Sequence, residues 1–281
     1  MPAASLVDVQ MGLLASRLAD VAYAQSHDIL QLRLSGLSEC SLSLIHFRVQ
    51  ADTSMSPSCS VHESMHPQWY FARGQLPPWL QRAGERAEGY FLVFRGTASM
   101  TDIARDLFVR PAEHCALSFH GGFLSGVRDD EKLHEQLRVH LKASFLPVFL
   151  IGHSLGGSLA LTLLAANLLP PSYRGSVTAI TLGSPAVLYG VPSPGALGRA
   201  ESARVLCFVN SVDVVPRLLG SPLPIATSAI LASSARQARP AAKESIGAQL
   251  IATLERYTFL PQTEIILLKV LQQVRRWSAG Q

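Results

Sequence analysis

The chain has 281 residues, 48% of them hydrophobic and 16% charged, with a formal net charge of +4. That composition allows a sizeable core in one large α/β domain or two small ones. No dense Lys/Arg block with interleaved aromatics is present, which argues against a nucleic-acid partner.

Residues 5–24 show helical spacing, with Leu6, Val9, Leu13, Leu14, Leu18, Val21 and Ala22 forming one broad apolar stripe. Asp8 and the lack of a basic n-region argue against a signal peptide. Residues 42–49 alternate as a strand, and 52–60 is a Ser-rich loop. His62, Glu63 and His66 spell the zincin H-E-x-x-H spacing. Pro67 follows at once and no amphipathic helix surrounds the motif, so an exposed loop is expected there and no metal. Residues 68–72 and 90–94 predict two strands of a hairpin across the Gly/Pro/Arg-rich stretch 73–89. Residues 98–110 carry Met100, Ile103, Leu107 and Phe108 at helical spacing with Asp102, Arg105 and Asp106 between them. Such a helix suits either an ordinary surface or a lid over an apolar acyl pocket. A short strand is expected at 116–119 and a helix at 123–143, where Leu133, Leu137 and Leu141 lie four apart.

The chain is organised around Gly152, His153, Ser154, Leu155, Gly156 and Gly157. An apolar run, 148–151, precedes them, and a stretch of Ala, Leu and small polar residues follows to Leu169. Strand, sharp turn and helix in that order fit the G-x-S-x-G nucleophile elbow. Glycines two positions either side of Ser154 leave room for a strained backbone there. The Leu155 N–H, at the helix start, is placed to stabilise an oxyanion. Gly152, His153 and Ser154 interrupt the most apolar stretch, 145–169, which reads better as strand plus helix than as a membrane span. Further strands are expected at 177–182 and 205–209. Residues 219–262 are hard to place, and 264–271 is a last apolar strand or helix. Strands alternating with helices predict a mostly parallel central sheet with helices on both faces. Cys40, Cys59, Cys115 and Cys207 lack a framework spacing and are expected as free thiols.

A serine nucleophile needs a base, an acid to orient it and an oxyanion hole. Asp213 follows the strand at 205–209, where a triad acid belongs in the order Ser, Asp, His. Its alternative is an Asx-turn aspartate. Thr97 follows the strand at 90–94, and its N–H and hydroxyl could both reach the reacting oxygen. The motifs together resemble the class 3, fungal-type or diacylglycerol-lipase-like, lipases of the α/β-hydrolases. The resemblance rests on Val93-Phe94-Arg95-Gly96-Thr97 with Asp102, Asp106 and Leu107; on His120-Gly121-Gly122-Phe123; on Gly152 to Gly157 with Gly183-Ser184-Pro185; and on the stretch Asn210 to Pro216. It implies an α/β-hydrolase fold with Ser154 as nucleophile, Asp213 as triad acid, and Thr97 with Leu155 at the oxyanion hole. It implies an acylglycerol or other acyl-ester substrate, contact with lipid surfaces through the lid, and no cofactor. The expected domain spans 1–281, with a recognisable core at about 68–270 and a helical extension at 1–67. The expected location is cytoplasmic or peripheral to membranes, where Arg275 and Arg276 could touch an anionic surface. Ile103 stands where the family often carries Trp in the lid.

The histidines are at 27, 46, 62, 66, 114, 120, 134, 140 and 153, and none follows Asp213. His153 is expected to point away from the Ser154 hydroxyl and support the elbow, and His120 to be structural. Two functions are therefore weighed: an ester hydrolase acting through a Ser154 acyl-enzyme, and a catalytically silent or truncated lipase-like binding module.

Overall fold

The computed structural model describes residues 5–37, 40–48, 67–81, 87–96, 111–189, 192 and 195–209, all within the compact unit Met1–Asn210. Nine strands are described: β1 Leu42–Arg48, β2 Trp69–Gln75, β3 Glu88–Phe94, β4 Pro111–His114, β5 Leu117–His120, β6 Val148–His153, β7 Val177–Leu182, β8 Leu188–Tyr189 and β9 Arg204–Phe208. Five α-helices are described with them: α1 Leu6–Val21, α2 His27–Ser35, α3 Gly121–Arg128, α4 Glu131–Leu141 and α5 Leu155–Ala165.

The main sheet runs β1-β2-β3-β6-β7-β9. Its first three strands form an antiparallel meander, and β3, β6, β7 and β9 are parallel. The central strands are buried on both faces, which is why they read as near-continuous apolar runs. Phe91, Val93, Phe149, Ile151 and Ile180 share one cluster with Met11, Leu14 and Leu18 of α1. By strand alternation Leu92, Phe94 and Leu150 face the other way. On that second face the Phe71 ring meets His140 of α4, with ring centroids 5.9 Å apart. Helices therefore cover both faces, as the alternation of elements predicts. A second, three-stranded sheet, β4-β5-β8, packs its Leu117 and Phe119 with Leu124 of α3 and Ala165 at the end of α5.

Local sequence explains the helix boundaries. Ser5 caps α1 reciprocally: its hydroxyl accepts from Asp8 N–H at 3.2 Å while Asp8 accepts from Ser5 N–H at 2.9 Å. Asp8 also pairs with Arg204 at the start of β9, fastening the helix to the sheet's last described strand. Asp130 accepts from Leu133 N–H at 3.0 Å and so starts α4.

The structure corrects several expectations. The predicted helix at 123–143 is two helices, α3 and α4, parted at Asp129 and Asp130. The reason is that the fully buried Asp130 carboxylate also accepts from Trp69 Nε1 at 2.8 Å and pairs with Arg48. The period-four leucines, Leu133, Leu137 and Leu141, all lie within α4 and are buried there; it is the stretch before Asp130 that forms a separate helix. The stripe on α1 is narrower than expected: Leu6, Val9 and Leu13 are exposed, and Met11, Leu14, Ala15, Leu18 and Ala19 are buried. The hairpin strands reach into the stretch assigned to its loop, to Gln75 and from Glu88. The strand expected at 116–119 pairs with an unforeseen partner, β4, and α2 carries too weak an apolar pattern to have been read. Both α1 and β1, inside the stretch expected as an extension, are built into the main layer. Residues 52–60, 98–110, 219–262 and 264–271 lie outside the described residues.

Candidate active site

The strand-to-helix turn between β6 and α5 places Ser154 at the C-terminal edge of the parallel strands. Ser154 has φ 53° and ψ −126°, a left-handed conformation costly for a residue with a Cβ. Such strain is worth about 1–3 kcal/mol and persists where the surroundings over-determine it. Here the surroundings are specific. Ser154 N–H donates to the Leu182 carbonyl of β7 at 2.8 Å, and its carbonyl accepts from Gly157 N–H at 3.0 Å. A Cβ on Gly152 would overlap the Gly156 backbone, and one on Gly156 would overlap the Phe94 carbonyl. The second glycine thus lets α5 begin directly against the end of β3, a role not visible in the motif alone. Ser154 is 6% exposed.

Leu155 opens α5, so its N–H is one of the first-turn donors that no intrahelical carbonyl accepts. The positive end of the helix macrodipole lies at the same point. Together they suit a developing oxyanion. Ser158, one turn into α5, lies 3.0 Å Oγ to Oγ from Ser184 and donates to the Pro185 carbonyl at 2.9 Å. This bond is what Gly183-Ser184-Pro185 does: it ties the elbow helix to the loop leaving β7.

Register brings several strand ends to the same edge. Phe94 pairs with Gly152, His153 with Leu182, and Leu182 with Phe208. Thr97 follows β3 by three residues and Asp213 follows β9 by five; both lie outside the described residues, as do His62 and His66. Ser154 and Leu155 are adjacent in the described site.

The described histidines have other occupations. His153 is solvent-exposed, and its Nδ1 lies 3.1 Å from the Tyr23 hydroxyl, in keeping with the supporting role expected of it. His120 is buried and stacked on Phe123 with centroids 3.9 Å apart. His114 and His134 contact the Ala166 and Arg128 carbonyls. His46 lies tilted against Trp69 and His140 meets Phe71 edge-on, and burial depresses the pKa of both. His27 sits beside Asp28 on the surface. Among the described residues there is no group of three or more His, Cys, Asp or Glu placed to hold a metal ion. Cys40, Cys115 and Cys207 are free thiols, and burial pushes Cys40 up to about 11.

Sequence reasoning missed Tyr23, Gln68 and Arg95, which surround the elbow from elsewhere in the chain. The Gln68 side chain donates to the Ala22 and Ala24 carbonyls at 2.7 and 2.8 Å and accepts from Arg95 at 2.7 Å. No motif carries that signal, because each partner is an ordinary residue type at an ordinary spacing.

A serine held at a strained strand-to-helix turn, on the C-terminal edge of a mostly parallel sheet with helices on both faces, is the arrangement of the α/β-hydrolase fold. The family model for lipase (class 3) matches residues 91–222. Over that stretch the chain is similar to the class 3 lipases, and the match supports a lipase-type ester hydrolase. Among solved structures, the fungal lipase of a lipase–inhibitor complex described as a model for interfacial activation is 19% identical, with a TM-score of 0.54, 77% of this chain covered and 76% of that one. Lipase II from Rhizopus niveus is 21% identical at a TM-score of 0.48, covering 76% of each chain. A triacylglycerol lipase from Penicillium expansum is 16% identical at 0.48, covering 79% of this chain and 77% of that one. The first of these likenesses shows the shared α/β-hydrolase fold. No curated protein matches the chain. No helix among the described residues is long and apolar enough to cross a membrane.

Proposed function

We propose that the chain hydrolyses acylglycerol esters through an acyl-enzyme on Ser154, with Asp213 as the acid of its triad and Thr97 together with the Leu155 N–H as its oxyanion hole. The observation that carries this reading is the strained Ser154 backbone directly before an α-helix. The Ser154 Oγ attacks the ester carbonyl carbon, its proton passes to a base, and the carbonyl oxygen takes the negative charge beside the helix start. Collapse breaks the acyl–oxygen bond, and the alcohol leaves with the proton from the base. Water then adds to the acyl-enzyme, and the carboxylic acid leaves as the serine regains its proton.

The single-domain organisation over 1–281 belongs to the same proposal. Residues 98–110 serve as the lid in it, and their apolar face gives contact with a lipid surface. The published description of interfacial activation for a fungal lipase similar in fold supports that part.

No histidine follows Asp213 in these 281 residues. Removing a triad base from a serine hydrolase lowers turnover by on the order of 10⁶-fold. Hydrolysis of p-nitrophenyl butyrate by this chain is therefore expected to be slow and to rise with added imidazole. Ser154→Ala should abolish both the imidazole-dependent rate and labelling by a fluorophosphonate. Labelling that persists in Ser154→Ala at the parent rate would remove Ser154 as nucleophile. Fast turnover without imidazole, lost in Ser154→Ala, would assign the base to an upstream histidine. The lid is read by the double substitution Ile103→Asp and Leu107→Asp, expected to lower activity on emulsified triacylglycerol more than on the soluble ester.

A further inference from the structure

Tyr23 lies in the turn that leaves α1, some 130 residues from the elbow in sequence. Its hydroxyl is 3.1 Å from His153 Nδ1. The Gly96 backbone packs against the same hydroxyl oxygen. Gly96 is packed so closely that an added Cβ would sit 2.5 Å from the Tyr23 hydroxyl and 2.5 Å from the His153 carbonyl oxygen. The Arg95 guanidinium lies 5.2 Å from the centroid of the Tyr23 ring. Gln68, 2% exposed, holds both neighbours of Tyr23 through the Ala22 and Ala24 carbonyls and holds Arg95 through its own side-chain oxygen. Arg95 N–H donates to the Gln68 carbonyl at 2.9 Å. The ring and its hydroxyl are therefore fixed from every side that these bonds define.

Two chain segments meet at this one oxygen. One is the end of β3, which runs through Gly96 into Thr97. The other is the end of β6, which runs through His153 into Ser154. Desolvation raises the Tyr23 pKa, so the hydroxyl keeps its proton at neutral pH and can donate to His153 while it packs against Gly96. A phenol is suited to this because its rigid ring carries a hydrogen-bonding atom to a fixed place between the two segments.

We infer that Tyr23 is a positioning residue of the hydrolase site, whose hydroxyl joins Gly96 to His153 and so fixes the oxyanion strand end against the nucleophile elbow. The inference rests on Ser154 and Thr97 acting as proposed above. Errors of about 1 Å between a nucleophile and its oxyanion donors can cost on the order of 100-fold in rate, so a loss near tenfold is expected when one of several ties is cut. Tyr23 acts through its neighbours and does not touch the reacting atoms.

The test is Tyr23→Phe, which keeps the ring beside Arg95 and removes only the hydroxyl. With imidazole present, kcat for p-nitrophenyl butyrate and the fluorophosphonate labelling rate of Ser154 should both fall about tenfold, with KM within about twofold of the parent. Amide hydrogen exchange at Gly96 should accelerate at least about tenfold, because the hydroxyl packed against it is gone and the strand end loosens, while exchange within β6 stays at the parent rate. The pair His153→Leu and His153→Asn supplies an independent arm. Leucine should reproduce the loss, and asparagine, which can place an amide group near the Nδ1 position, should recover most of it. Unchanged Gly96 exchange would overturn the inference, as would an unchanged labelling rate or a rise in KM alone. Failure of the serine mechanism itself would look different, since labelling would then not depend on Ser154, while Gly96 exchange would still report on the Tyr23 joint.

Discussion

Gly156 carries as much of the site as the serine it follows. Its missing side chain lets the first turn of α5 abut the Phe94 carbonyl and the Arg95 backbone. An alanine there must push either the helix or the end of β3 away, and overpacking of this kind costs typically about 1–3 kcal/mol. Gly156→Ala is expected to lower the urea midpoint by an amount in that range and to slow labelling of Ser154. A variant with parental stability and parental labelling would show that the close approach is not needed. Ser154 is the complementary case. Its φ of 53° is unfavourable for a residue with a Cβ, and the Leu182 carbonyl and the start of α5 hold it there.

At the scale of elements, Asp130 joins three of them. It caps α4, accepts from Trp69 of β2 and pairs with Arg48 at the end of β1, with its own side chain fully buried. Removing one partner of a buried charge network leaves the others desolvated and unpaired, at a cost of about 3–5 kcal/mol. Asp130→Ala is expected to destabilise the protein by roughly that amount in urea denaturation. Asp130→Asn keeps an acceptor for the cap and for Trp69, so it should cost clearly less. Equal losses for both variants would show that the negative charge, not the hydrogen bonding, carries the contribution. The leucines of α4 keep their period from Leu133 to Leu141, but that period says nothing of where the helix starts, which the capping carboxylate decides.

For the whole molecule, stability should depend on pH through His46 and His140. Desolvation is the leading cause that lowers both pKa values, with Lys132 and Arg48 adding to it at His46 and Arg73 at His140. An imidazole with a lower pKa when folded binds fewer protons in the native state than in the unfolded chain. Its neutral form carries no penalty above the unfolded value of about 6.5, and stability is lost as the pH falls through that value toward the folded ones. The urea midpoint is therefore expected to drop between about pH 7.5 and 5.5. Replacing both residues by glutamine should flatten that part of the profile. An unchanged slope in the double variant would assign the dependence to other groups.

What the sequence determined by itself is what short-range physics dictates. Glycine spacing around Ser154 and the apolar runs of β3, β6 and β7 each act within a few residues, so the elbow and the parallel-sheet class could be read directly. Thr97 and Asp213 were read the same way, from their places after strands, and their roles stand as proposals. Only the tertiary structure decided the contacts between distant segments: Tyr23 with His153 and Gly96, Gln68 with Arg95 and the exit of α1, and Asp130 with Trp69 and Arg48. These are single hydrogen bonds and ion pairs between common residue types. They leave no periodicity in the chain, because their geometry exists only once the sheet has brought its strand ends together.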